Sequence, residues 1–270
     1  MKHRWMRFFV GMGCVALLLA GATANAADSE TTSVSVAINK AGRQRMLVQR
    51  MAKAWVMIGL GVQPERGQTI LDESLSRFEA QLAELQGFVP NEDTRQALTK
   101  LEREWQDYRA ALRAAPGRQD AQAVYDHSEL TQEAAHRLTL TYERVSGAPA
   151  DRLVNIAGRQ RMLSQRLAKF WLFQAWDVNT VAARMEMNFA RAEFASGMNQ
   201  LYGTASTSPE IGRAVEQLDR DWIAYRSALV ERRDIAIMRR AAPEVVELSE
   251  RVLATAERLV ALHESQAGAR

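Results

Sequence analysis

The chain has 270 residues, enough for one large domain or two modest ones, and its 35 Lys and Arg against 32 Asp and Glu give a formal net charge of +3. Three of the basic residues lie within the first seven positions, where no acidic residue occurs. Without these three residues the basic and acidic residues are equal in number, so the charge supplies no argument for nucleic acid as a partner.

The first 26 residues are predicted to be a cleavable signal peptide. A basic segment is followed by an apolar run and by ATANA, whose small-x-small pattern predicts cleavage after Ala26. An uncleaved membrane anchor is the alternative, because residues 8–26 are nearly long enough to span a bilayer. Cleavage would remove Cys14, the single cysteine, and we expect a periplasmic chain without disulfides or thiol chemistry.

The next predicted helix carries a motif that occurs twice in the chain. Residues 39–53 read NKAGRQRMLVQRMAK and residues 155–169 read NIAGRQRMLSQRLAK, so 12 of 15 positions are identical at an offset of 116 residues. A second match joins residues 101–112 to residues 218–229. Two copies of one structural unit are therefore predicted.

Each copy is predicted to form four helices. In the first copy, helix one spans about residues 36–58, helix two ends near Gly87, helix three ends before Pro116 and helix four spans about residues 120–145. Apolar residues at alternating spacings of three and four mark these helices, and the second copy repeats the plan. The predicted fold is all-α, with two tandem up-down-up-down four-helix bundles.

The two predicted domains, 27–148 and 149–270, are joined by the short segment SGAPA. Four antiparallel helices bring the chain back to the end where it began, so helix one of the second copy can start beside helix one of the first and run parallel to it. We expect a side-by-side, pseudo-two-fold pair of bundles. End-to-end stacking through a kink at Pro149 is the competing arrangement.

Helix one places an arginine in an apolar seam in both copies. The a and d positions of a heptad pattern are occupied by Ile38, Ala41, Arg45, Val48, Ala52 and Trp55, and in the second copy by Val154, Ala157, Arg161, Ser164, Ala168 and Trp171. Parallel neighbouring helices would bring Arg45 and Arg161 face to face. Two positive charges about 6 Å apart repel by roughly 3 kcal/mol at an effective dielectric constant near 20. A carboxylate from another helix, or a small anion shared by both guanidinium groups, would offset this repulsion.

A glycine precedes the seam arginine by three residues in each copy, as Gly42 and Gly158. A glycine inside a helix costs about 1 kcal/mol relative to alanine. It either permits close helix packing or leaves room for a small ligand beside the arginine. Gln49 and Gln165 lie one turn further on and are candidates to orient the arginine or contact a ligand.

Nothing in the sequence indicates catalysis or a metal site. There is no nucleophile–base arrangement and no glycine-rich phosphate loop, so we expect neither an enzyme nor a cofactor. The four histidines are scattered, and none pairs with another at metal-ligand spacing. Intrabundle ion pairs or solvent exposure are expected for the other motif arginines, namely Arg43, Arg50, Arg159 and Arg166.

The duplicated motif resembles helix one of the periplasmic domain in nitrate/nitrite sensor kinases of the NarX type. It is more similar still to the N-terminal domain of PilJ-like type IV pilus chemoreceptors, and the resemblance covers essentially the whole mature chain as tandem domains. In the nitrate sensors this four-helix bundle dimerises through helix one, and the motif arginine of each subunit binds one anion. The resemblance implies that Arg45 and Arg161 are both half-sites of a fused pseudo-dimer, with Gly42 and Gly158 beside the ligand.

The chain also departs from the nitrate sensors. Arg43 and Gln44 replace the residues that precede the motif arginine in the nitrate sensors. The identity of the sensors' ligand therefore does not follow directly for this chain. The sensors have membrane helices on both sides of the domain and a cytoplasmic output module, and no second long apolar run follows here. We therefore expect a soluble binding protein or an accessory partner of a membrane receptor.

Two functions remain open from the sequence. The first is a periplasmic protein that binds a small oxyanion, with nitrate or nitrite the leading ligand by resemblance. The second is an interaction protein without a small ligand, which docks onto a membrane receptor or a pilus-associated partner. Internal acidic partners for both Arg45 and Arg161 would favour the second.

Overall fold

The computed structural model describes residues 33–230 and 234–268, and it has eight α-helices there. In chain order they are α1 (Val34–Leu60), α2 (Pro64–Gln86), α3 (Glu92–Leu112), α4 (Ala121–Ser146), α5 (Pro149–Ala175), α6 (Thr180–Tyr202), α7 (Pro209–Ala228) and α8 (Ile235–Gly268). No strand occurs in the described residues, which confirms the all-α prediction. The predicted signal peptide lies outside them.

Helix ends follow from local sequence. Ser33 caps α1, because its Oγ accepts a hydrogen bond from the Val36 N–H at 3.2 Å. Gly61 ends the same helix in the left-handed region, with φ of 69°, which a residue without Cβ adopts freely. Asn91 and Ser208 cap α3 and α7 through their side-chain oxygens. Short polar side chains and a glycine thus mark these helix ends.

The two motif-bearing helices, α1 and α5, pack along each other. Arg161 donates to the Asn39 carbonyl at 3.4 Å near one end, and the rings of Trp55 and Trp176 lie 5.7 Å apart near the other. Because residue numbers increase together along the contact, the helices run parallel. The side-by-side placement of the first helices is therefore observed, while the pseudo-two-fold symmetry stays a prediction.

The helices α1, α4, α5 and α8 form the centre of the fold. Helix α1 packs on α2 and α4, α5 packs on α6 and α8, and smaller contacts join α1 to α8 and α4 to α5. Helices α3 and α7 pack on α4 and α8. Every seam position of α1 and α5, including both arginines, is buried as a result.

An aromatic stack recurs in both copies. Phe78 of α2 stacks on Trp105 of α3 at 4.1 Å between ring centroids, and Phe194 of α6 stacks on Trp222 of α7 at 4.0 Å. The two phenylalanines are 116 residues apart, the same offset as the helix-one motifs. Positions in α2 and α6 therefore correspond at this offset.

None of the helices in the described ranges combines the length and the apolar composition needed to cross a bilayer.

Candidate functional site

Arg45 lies at the middle of α1 and is fully buried. Its Nη2 donates to Asn155 Oδ1 of α5 at 2.8 Å, and its Nη1 lies 3.2 Å from His136 Nδ1 of α4. A long contact of 3.5 Å joins its Nε to the Gly42 carbonyl. Among the described residues, no carboxylate lies within ion-pair distance of this guanidinium.

Arg161 occupies the same motif position on α5 and is also fully buried. Unlike Arg45, it has an acidic partner: its Nη1 lies 2.9 Å from Glu257 Oε2 of α8. Its Nη2 donates to the Asn39 carbonyl of α1, and its Nε has no hydrogen-bond partner within the described part of the chain. Each arginine thus donates a hydrogen bond to helix one of the other copy.

The two guanidinium groups converge on Gly42. A Cβ at this position would lie 3.2 Å from Arg45 Nη2 and 3.6 Å from Arg161 Nη2, so both side chains occupy the space above the glycine. A Cβ at Gly158 would lie 3.0 Å from Arg161 Nη2, and its three nearest atoms all belong to Arg161. The structure therefore brings together Arg45, Arg161 and Gly42, whereas Gly158 accommodates its own arginine.

Burial makes this arrangement electrostatically costly. Removal from water, followed by the nearby charges of Arg159 and Arg161, lowers the pKa of Arg45 to about 9. The pKa of Arg161 is also lowered by burial, against the opposing effect of Glu257. With this pKa Arg45 is charged at neutral pH, and Arg161 pairs with Glu257, so the fold holds two neighbouring guanidinium groups away from solvent.

The two copies carry different residues at the fourth-helix position that lies beside the motif arginine. The segment AHRL at 135–138 aligns with AERL at 256–259, so His136 and Glu257 occupy corresponding places beside Arg45 and Arg161. Burial opposes ionisation of Glu257, yet Arg161 and Arg43 hold its pKa to about 2. Burial, Arg45 and Arg159 lower the pKa of His136 to about 4, so its ring is neutral and can accept from Arg45. Only one arginine of the pair is neutralised internally.

The other motif arginines form more ion pairs between the two copies than the sequence predicted. Arg43 of α1 forms two hydrogen bonds to Glu257 of α8, at 3.3 and 3.0 Å. Arg50 of α1 contacts Glu250 of α8 at 2.6 Å. The expected intrabundle pairing is therefore wrong for Arg43, whereas Arg50 also contacts Glu73 of α2 in its own copy at 3.7 Å.

Comparison with known proteins decides the family of this chain. Residues 29–130 and again residues 149–266 match the family PilJ, described as the N-terminal part of type IV pili methyl-accepting chemotaxis transducers. The chain belongs to the PilJ family. No curated protein and no solved structure matches it.

PilJ domains are non-enzymatic, periplasmic sensor domains of chemoreceptors, and membership indicates a sensing role for this chain. The two matched segments fit its two helical copies. The resemblance to PilJ that the helix-one motif suggested is therefore confirmed, while the NarX-type capacity to bind nitrate is not part of what the family match establishes.

The motif glutamines of this PilJ-type chain hydrogen-bond groups other than the arginine pair. Gln49 Nε2 donates to Glu129 Oε1 at 3.2 Å, and Gln165 Nε2 donates to the Ser249 carbonyl at 3.0 Å. No hydrogen bond joins either glutamine to Arg45 or Arg161 among the described residues. Their predicted role beside a ligand stays a prediction.

The sequence reasoning missed two buried lysine clusters that join the copies. Lys169 of α5 lies 2.5 Å from Glu129 of α4, and Lys53 of α1 lies 2.5 Å from Glu250 of α8. Both lysines have fully buried side chains. The signal was available, because these are two of only four lysines after residue 26 and they occupy the same motif position.

No group of three or more His, Cys, Asp or Glu residues within the described ranges is arranged to hold a metal ion. The site instead consists of guanidinium, amide and imidazole groups, which together favour binding of a planar anion by hydrogen bonds.

The neutral His136 is expected to make stability depend on mildly acidic pH. Its folded pKa of about 4 lies below the ordinary value of 6.5, so between these values the unfolded chain binds more protons and stability falls as pH falls. The free energy of unfolding in urea at pH 7 and pH 5 should therefore differ more in the wild type than in His136→Gln. His263, whose pKa burial also lowers, is retained in both proteins and cancels in the comparison. Equal pH dependence in the two proteins would contradict this assignment.

Proposed function

We propose that this chain is a ligand-binding sensor module that takes a small oxyanion, such as nitrate or nitrite, between Arg45 and Arg161. Gly42 would provide the space in which the ligand contacts both guanidinium groups, and Gly158 would permit Arg161 to fold back along its own helix. No output function is assigned to the chain. A separate membrane receptor would transmit the signal.

The observation that carries this proposal is that Arg45 is fully buried and none of the described carboxylates lies within ion-pair distance of it, so that Glu143 and Glu193 act on it only through space. A buried charge that lacks a counter-charge costs several kcal/mol even after relaxation. Asn155 and neutral His136 satisfy hydrogen bonds of the guanidinium without neutralising it. An oxyanion would supply the missing charge and accept the same hydrogen bonds, and the unpaired Nε of Arg161 is a further donor.

Access to the pair requires a side chain to move, because both arginines are fully buried. Asn155 is the residue best placed to do so. It hydrogen-bonds Arg45 and also lines an open cleft between α4, α5 and α6. Rotation of this one side chain would connect the guanidinium to solvent without separating α1 from α5.

The proposal is tested by thermal and urea unfolding of the mature chain with nitrate, nitrite, sulfate and chloride at matched ionic strength. A ligand that binds only the native state stabilises it by about 2.7 kcal/mol at 100 times its Kd. We expect stabilisation by nitrate or nitrite that is lost in Arg45→Met. Arg220→Met, which removes an exposed arginine of α7, should retain it.

If none of these anions stabilises the wild type more than chloride does, the proposal is wrong. The same conclusion follows if Arg45→Met and Arg220→Met retain equal stabilisation, because binding would then be a general effect of surface charge.

The second candidate function is docking to a membrane receptor or pilus-associated partner, and the internal Arg161–Glu257 pair favours it. Helix α6 also exposes Val181, Met185 and Phe189, which lie four residues apart along one face. A photo-crosslinking residue at position 189 should then capture a chemosensory receptor of the pilus system, while one at Glu73, the corresponding first-copy position, should not. Failure to capture such a receptor, together with an anion response, would reject this candidate.

A further inference from the structure

A second polar site lies outside the arginine pair, in an open cleft of about 390 Å³ between α4, α5 and α6. Helix α4 contributes Glu143, helix α5 contributes Arg152 and Gln160, and helix α6 contributes Glu193 and Gly197. The volume lies within the range of small-molecule sites. The cleft therefore has room for a compact ligand beside side chains of both charges.

Gln160 is the feature that indicates a ligand here. Its side chain is fully buried and lines the cleft, yet neither its Nε2 nor its Oε1 has a hydrogen-bond partner among the described residues. A buried amide with both polar atoms unpaired is rare in folded proteins. The corresponding Gln44 of the first copy differs, because its Nε2 donates to the Phe78 carbonyl at 3.1 Å.

The charges of the cleft are balanced and only partly paired. Arg159 lies 2.8 Å from Glu193, so these two residues neutralise each other. Arg152 forms no ion pair with a described residue, and Glu143 accepts a hydrogen bond from Asn155 without a cation at ion-pair distance. One guanidinium and one carboxylate thus remain for a ligand that carries both a carboxylate and an ammonium group.

The first copy carries different side chains at several positions that correspond to the cleft wall. At the offset of 116 residues, Gly197 corresponds to Gln81, which is buried in α2. Two further positions of the cleft wall, Ile156 and Gln200, correspond to Lys40 and Glu84, which form an ion pair of 2.9 Å. The wall of this cleft thus differs from the corresponding positions of the first copy, and Gly197 lacks the side chain that Gln81 has there.

We propose that this cleft binds a small zwitterion of the α-amino-acid type, at a site separate from the one proposed for the anion. Arg152 receives the ligand carboxylate, Glu143 receives its ammonium group, and the Gln160 amide supplies one donor and one acceptor. Asn155 links this cleft to the arginine pair, because it accepts from Arg45 and donates to Glu143. Occupation of the cleft therefore changes the surroundings of Arg45.

The test is calorimetric titration of the mature wild-type chain with the twenty common L-amino acids. Each amino acid that binds is compared with its amine analogue, which lacks the carboxylate, and with its acid analogue, which lacks the ammonium group. We expect one or more amino acids to bind, and both analogues to bind at least tenfold more weakly. Absence of binding by every amino acid, or equal binding of an analogue, overturns the proposal.

Substitutions in the wall of the cleft test where the ligand binds. Arg152→Gln and Glu143→Gln should each weaken it at least tenfold, whereas Arg220→Gln on the surface of α7 should leave it unchanged. Gly197→Gln should abolish it, because any Cβ at this position overlaps the Gln160 amide and the added side chain occupies the cleft. Circular dichroism and thermal unfolding check that each variant folds. Binding that persists in Arg152→Gln and Glu143→Gln would overturn the proposed site.

Discussion

Glu129→Gln is expected to destabilise the protein by about 3–5 kcal/mol, the range found when a buried ion pair loses one partner. Glu129 of α4 contacts both Lys169 and Arg166 of α5 at 2.5 Å. Burial opposes its ionisation, but these two cations keep its pKa below the ordinary value. The neutral amide would leave Lys169 buried without a counter-charge. Urea unfolding monitored by circular dichroism measures the change.

Glu133→Gln on the same helix is the matched control. Glu133 is exposed and forms an i,i+4 pair with Arg137, so its loss should cost about 0.5 kcal/mol or less. Adding Lys169→Met to Glu129→Gln should recover part of the lost stability, because an apolar side chain of similar length replaces the uncompensated cation. Similar losses in Glu129→Gln and Glu133→Gln would show that the lysine cluster does not hold the copies together.

His136→Glu is expected to abolish the stabilisation by nitrate or nitrite and to stabilise the ligand-free protein. The new carboxylate would take the place beside Arg45 that Glu257 takes beside Arg161, and would thus supply internally the charge that we assign to the ligand. The loss would be about 2.7 kcal/mol at an anion concentration of 100 times Kd. Unfolding with and without anion measures both effects.

Leu130→Glu is the control for the added charge, because Leu130 is an exposed residue of α4. It should keep the full anion response. The reciprocal change, Glu257→His, should enlarge the response, because it leaves both arginines without a carboxylate partner. A His136→Glu protein that responds to nitrate like the wild type would show that the anion does not bind beside Arg45.

Local patterns were sufficient to predict the helical elements. Apolar spacing predicted the first helix over about residues 36–58, within the observed bounds Val34–Leu60, and this signal acts over a few residues. The meeting of Arg45 and Arg161 was also predictable, because an even number of antiparallel helices returns the chain to its starting end and the motif repeats at a constant offset. Both inferences depend only on spacing along the chain.

The partners of those arginines were not predictable in the same way. Glu257 lies 96 residues from Arg161 and His136 lies 91 residues from Arg45, so only the packing of α8 and α4 decides that one site gains a carboxylate and the other an imidazole. The two motif glutamines show the opposite case. Their place one turn beyond the arginines predicted a site shared with them. They face other helices instead.

The sequence by itself therefore determined the helical repeats, their family and the burial of one arginine in each copy. Only the tertiary structure decided which arginine of the pair contacts a carboxylate, which basic side chains of helix one contact acidic side chains on helix four of the other copy, and where a cleft opens at Gly197. The physical reason is the distance along the chain over which each effect acts. Helix periodicity and capping are set by neighbours within a few residues, whereas the charge and the free volume around a buried group depend on side chains that come from distant parts of the chain.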